Sequence, residues 1–170
     1  FSARSKMVLV PLAILTATTT WIHHFFKSDF MYLVDFGTSS ITQAVIVVLM
    51  IRHIARSRVV TRTIILSSVN GYLLLGVLGA SLFSIANGVH IFLNGPGSAG
   101  IVLPSAGSPE FSDYLYLSFI TLTTVGYGDV MAVSHLTRSI AILIGLSGQL
   151  YMTLLIAMLV GKFLAANKDG

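Results

Sequence analysis

Four stretches of this chain, residues 7–26, 37–54, 63–90 and 136–163, run apolar for eighteen positions or more with almost no charge. A helix crossing a ~30 Å hydrocarbon layer needs roughly 20 such residues. Within that layer every backbone polar group must be satisfied internally, which leaves the helix as the spanning form for runs of this length. Composition agrees: 55% of the 170 residues are hydrophobic and 9% are charged, where soluble domains carry about 25% charged residues. A water-soluble globule and a disordered chain are both excluded. The chain holds no cysteine, so disulfides and thiolate metal sites are excluded as well. The first apolar run has a basic start, but Thr18, Thr19, Thr20, His23 and His24 offer no small-residue cleavage site, and it reads as a retained helix rather than a signal peptide. Because the sequence opens on Phe1 rather than Met, further N-terminal residues are expected.

Between the third and fourth runs lies a stretch rich in Gly, Pro and Ser, residues 94–108, which reads as an exposed loop. Residues 109–123 follow, apolar but too short to span, and read as a re-entrant helix. Ser108 is placed to cap it, with Pro109 in its first turn and Glu110 near its positive end. A cap with no electrostatic role and a contribution to conduction both remain open for Ser108 and Glu110.

Charge sets the orientation. Arg4, Lys6, Arg52, Arg56, Arg58, Arg62, Lys162 and Lys168 fall on one side of a four-pass chain with Asp169; Lys27 and Arg138 fall on the other with Asp29, Asp35, Glu110, Asp113 and Asp129. The basic side is expected to be cytoplasmic, and both termini lie on it. The high isoelectric point is therefore a matter of topology, and nucleic acid is not an expected partner. Arg52, Arg56, Arg58 and Arg62 are spaced four, two and four, unlike the regular three-residue steps of a voltage sensor. They read as interfacial anchors or as contacts for anionic lipid. Trp21 suits an interfacial anchor, and Gly76 with Ala80 forms a small-residue pair for helix contact. For His23, His24 and His135, pH sensing and plain packing both stay open.

The chemistry is carried by Thr123, Thr124, Val125, Gly126, Tyr127, Gly128 and Asp129, directly after the short helix. A cation entering a narrow pore must exchange its water shell for equivalent oxygens, and rings of backbone carbonyls from four chains supply them. Aiming successive carbonyls at one axis requires a backbone that alternates in hand. Gly126 and Gly128 permit positive φ without a Cβ clash. Val125 and Tyr127 then turn away from the axis to pack behind it. An ordinary Gly-rich turn is the competing reading.

This string resembles the selectivity filter of the tetrameric potassium channels, and residues 100–165 resemble small bacterial four-pass channels with one pore loop. The resemblance implies K⁺ as permeant ion, bound by the carbonyls of Thr124, Val125, Gly126 and Tyr127 with the Thr124 hydroxyl at the inner end, and Gly128 completing the filter. It implies that Asp129 hydrogen-bonds behind the filter to an aromatic at Tyr116, with Thr123 as further support. Ile120 stands where some relatives carry a buried carboxylate, Arg138 where a basic residue is frequent, and Ala132 where a proline is usual. Gly148 sits at the family's hinge distance, although close helix packing explains a glycine equally well. Met152, Ile156 and Val160 follow at four-residue steps and would line an apolar cavity, while Gln149 faces that cavity or bonds a neighbouring helix.

The expected protein is thus all-α, with four spanning helices and a pore helix and filter between the third and fourth. A two-helix N-terminal module covers residues 1–62 and a pore module residues 63–170. The expected activity is passive K⁺ conduction by a homotetramer in a bilayer, with no cofactor, no enzymatic chemistry, and a bacterial inner membrane as its setting. A pore that also passes Na⁺, and a non-conducting sensor subunit with a vestigial pore, are the alternatives.

Overall fold

Long apolar runs without internal breakers become five helices in a computed structural model that describes residues 3–25, 29–56, 61–95, 97–104 and 107–166. In chain order they are α1 (Ala3–Phe25), α2 (Asp29–Arg56), α3 (Arg62–Asn94), α4 (Phe111–Leu122) and α5 (His135–Ala166). Three of them hold stretches long and apolar enough to cross a membrane, Val34–Arg52, Arg62–Asn94 and His135–Gly161; α1 holds a shorter apolar stretch, Leu9–Ile22. Lys27, Arg58, Lys168 and Asp169 lie outside the described residues, as do the side chains of His23, His24 and Arg56.

Lipid tails are as apolar as leucine, so helices inside a bilayer associate through close packing and hydrogen bonds rather than through the hydrophobic effect. Both devices are visible here. Helix α3 is the hub, touching α2, α4 and α5, while α1 packs on α2. Glycines on α3 let aromatics of its neighbours come close. A Cβ at Gly71 would run into the Tyr151 phenol oxygen, and one at Gly76 would meet the Phe119 ring at 2.5–3.0 Å. Ala80 and Phe83 are fully buried beside them. Ser118 Oγ donates to the Gly76 carbonyl at 2.7 Å, tying α4 to α3. Tyr151 Oη donates to the Ser68 carbonyl at 2.7 Å, tying α5 to α3. Ser81 Oγ reaches Gln43 Oε1 on α2 at 3.4 Å.

The α1–α2 contact revises one placement made from the sequence. Asp35, expected in the connection ahead of the second span, lies within α2 because nothing from Asp29 onward breaks the helix. It is buried and accepts hydrogen bonds from Thr20 Oγ1 at 2.7 Å and Thr19 Oγ1 at 3.5 Å. Thr19 also meets Thr38 at 3.0 Å. Thr19 and Thr20, polar residues within the first apolar run, are thus the carboxylate's partners.

The loop after α3 is likewise less free than its composition suggests. Helix α3 ends where Gly95 takes φ 92° and returns its N–H to the Ile91 carbonyl. Ile101–Val102 (β1) then pairs antiparallel with Met131–Ala132 (β2), Ile101 facing Ala132, and Ile101 is buried. Asn87, buried on α3, accepts from Gly100 N–H at 2.8 Å and donates to Tyr114 Oη at 2.8 Å. Thr137 Oγ1 donates to the Gly100 carbonyl at 2.7 Å. One buried asparagine therefore joins α3, α4 and the outer loop. Apart from this two-residue ladder the regular structure among the described residues is all-α.

Candidate functional site

Helix α4 supports the site. Its N-terminus is organised by acids: Glu110 stands at the cap position, and its N–H donates to Asp113 Oδ2 at 2.8 Å. Ser108, the cap expected from the sequence, lies two residues too early. An acid in the first turn suits the helix dipole, and Asp113 satisfies a backbone donor that helical bonds leave open. Tyr114, Leu117, Ser118, Ile120 and Leu122 are buried against the core. The helix closes at Thr123, whose N–H and Oγ1 both return to the Phe119 carbonyl, at 2.9 and 2.7 Å.

Beyond Thr123 the chain leaves the helix in a defined conformation. Thr124, Gly126 and Gly128 all have positive φ, at 60°, 55° and 81°, while Val125 and Tyr127 between them do not. The backbone changes hand at every residue from 124 to 128. Two bonds hold it to α4: Thr124 N–H to the Thr121 carbonyl and Gly126 N–H to the Ile120 carbonyl, both 3.1 Å. No atom lies within 4 Å of a Cβ built on Gly126 or Gly128, so conformation rather than space demands glycine there. Thr124 has no such licence. A β-branched residue at positive φ is a genuine outlier, and residue type gave no signal of it. Residues 123–129 are exposed in the single chain, Val125 at 52% and Tyr127 at 74%.

Asp129 ends the string. Its Oδ2 accepts from Tyr116 Oη at 2.7 Å and its Oδ1 accepts from Val130 N–H at 3.0 Å. The hydrogen bond from Tyr116 holds the carboxyl below its ordinary range, and the same bond pushes the phenol up to about 12. The structure thus ties Tyr116 on α4 to Asp129 at the end of the loop that carries residues 124–128. Arg138 turns Nε to the Ala132 carbonyl at 3.4 Å, and Ile120 is buried while its carbonyl holds Gly126.

Helix α5 runs beneath. Gly148 lies against the last residue of α4: a Cβ there would run into the Leu122 carbonyl oxygen and meet Leu122 Cδ1 at 2.9 Å. Close approach to the end of α4 therefore accounts for this glycine. Tyr72 Oη also reaches the Leu122 carbonyl, at 3.4 Å, and its ring lies 5.8 Å from that of Tyr151. Met152, Ile156 and Val160 are all exposed on α5, as is Gln149. Among the described residues no cluster of His, Asp and Glu is placed to hold a metal.

A helix too short to span, a loop of alternating hand and a long apolar helix follow one another from Phe111 to Ala166. Residues 89–165 match the family model described as "ion channel", so this part of the chain, from the end of α3 to the end of α5, is similar to an ion-channel domain. Neither the curated proteins nor the solved structures give a match.

Proposed function

We propose that the chain is a potassium-selective channel subunit, working as a homotetramer that conducts K⁺ passively through a carbonyl-lined filter at Thr124, Val125, Gly126 and Tyr127. The alternation of hand at residues 124–128 carries this reading. Alternating hands turn consecutive carbonyls toward one side, and a ring of such strands replaces an ion's hydration shell. One chain supplies one strand, so the ring closes only with further copies around a central axis. The C-terminal end of α4 adds a partial negative charge below the strand, which favours a cation. The proposed chain crosses the membrane four times with both termini on the cytoplasmic side, in a bacterial inner membrane. Residues 1–62 form its N-terminal module and residues 63–170 its pore module. It carries out no covalent chemistry and uses no cofactor.

The test is the reversal potential of the purified protein in planar bilayers with K⁺ on one side and Na⁺ on the other. A reversal near the K⁺ Nernst potential is expected. A clear current reversing near zero would mean a pore that does not distinguish the two ions.

A further inference from the structure

Helices α2, α3 and α5 leave between them a groove of about 270 Å³, its lining nearly all apolar: Ile51, Leu75, Leu150, Tyr151, Leu154 and Met158. Along α5 it runs from Ser147 to Met158, a distance of about 16 Å at 1.5 Å per residue. Successive helical residues turn by about 100°, which sets Leu150, Leu154 and Met158 on the face of α5 opposite Met152, Ile156 and Val160. The groove therefore turns away from the proposed pore axis. The one phenol in its wall is already committed, since Tyr151 Oη donates to the Ser68 carbonyl. An occupant meets hydrocarbon and an aromatic face.

The inner end of the groove has a different chemistry. Ile51 is the penultimate residue of the apolar stretch Val34–Arg52, and Arg52, exposed, ends it. Arg52 follows the lining residue Ile51 directly, at the end of the apolar stretch, where the proposed topology puts lipid headgroups. Arginine there pairs well with a phosphate.

We propose that this groove binds an acyl chain of an anionic phospholipid, with Arg52 holding the headgroup phosphate. The inference rests on the reading of the chain as a membrane channel and adds a ligand site to it. The wall of the groove includes Tyr151, three residues from Gly148, which rests against Leu122 at the end of α4.

The test uses the single tryptophan of the chain. In a Trp21→Phe, Leu150→Trp variant of the full chain, the new indole sits on the groove wall at a position that is 61% exposed as leucine. The protein is reconstituted in phosphatidylcholine vesicles titrated with phosphatidylglycerol or phosphatidylcholine brominated in the acyl chain. Brominated phosphatidylglycerol should quench at about fivefold lower mole fraction, the advantage of one cationic side chain near an anionic headgroup. Arg52→Gln should abolish that preference and Arg52→Lys should keep most of it. Equal quenching by the two lipids, quenching by neither, or a preference that survives Arg52→Gln would each overturn the proposal. Quenching by neither would mean that protein covers the groove. The readout needs no current, so it stands or falls apart from ion conduction.

Discussion

Thr124 at φ 60° and Gly126 at φ 55° occupy equivalent places in the alternation, yet only one of them is a residue suited to it. A side chain at positive φ costs of order 1–3 kcal/mol, and Thr124 bears that cost while bonded to Thr121 through its N–H. Gly126→Ala would impose a second such cost in the same strand. Helix contacts stay untouched, because the new methyl meets nothing within 4 Å. We expect Gly126→Ala to assemble normally by size-exclusion chromatography and to lose K⁺ selectivity in bilayer recordings; retained selectivity would defeat the filter assignment. The Tyr116–Asp129 pair makes a separate prediction. Asp129 titrates below the ordinary carboxylate range because Tyr116 donates to it. The support it gives is therefore present at pH values above that range and is lost only as pH falls through the lowered value. Tyr116→Phe removes the donor and moves that loss upward in pH. Acid inhibition of the current should begin at a higher pH in Tyr116→Phe than in the parent, and coincident pH profiles would mean that the pair does not support conduction.

At the scale of elements, two glycines on α5 that look alike in the sequence separate cleanly. A Cβ at Gly145 would meet only Thr121 atoms at 3.9 Å, an ordinary contact, whereas one at Gly148 would collide with Leu122. Gly145→Ala should leave the thermal midpoint unchanged or raise it, since alanine favours a helix by about 1 kcal/mol. Gly148→Ala should lower it, at a typical overpacking cost of about 1–3 kcal/mol, and alter open probability as α5 is pushed off the filter base. Equal midpoints for the two variants would show that α5 does not rest on Leu122. The long helices and the short pore helix were legible in the sequence because apolar length and Gly/Pro punctuation act locally. Tertiary partners were not. Asp35 was misplaced because its place depends on hydroxyls fifteen and sixteen residues earlier on another helix. Ser108 looked like a cap because it is a capping residue type, yet the helix starts later, at an acid that Asp113 reaches back to bond. The β1–β2 ladder left no signal, being two residues long and fixed by Asn87 and Thr137.

For the whole molecule, residues 123–129 form an exposed stretch beyond the end of α4. Tyr127 is 74% exposed and Val125 52%, an arrangement that suits packing against neighbouring copies. Native mass measurement in detergent should give four chains per particle. Iodination of Tyr127 should be slow in that particle and fast after dissociation to single chains. A monomer that conducts would overturn the assembly.

The clasp between Ile101 and Ala132 has a consequence of its own. It turns everything between those residues, pore helix and filter included, into a closed hoop of chain hung from Asn87. What lies outside the hoop cannot change its circumference. Residues inserted among positions 95–99 would bulge harmlessly into the surroundings, because closing a longer flexible loop adds little entropy cost. A single residue inserted within α4 could not bulge in this way: it would turn the rest of the helix by about 100° and lengthen it by about 1.5 Å, carrying residues 124–128 out of register with the clasp. The chain is therefore free to diversify ahead of Gly100 and tightly metered along α4.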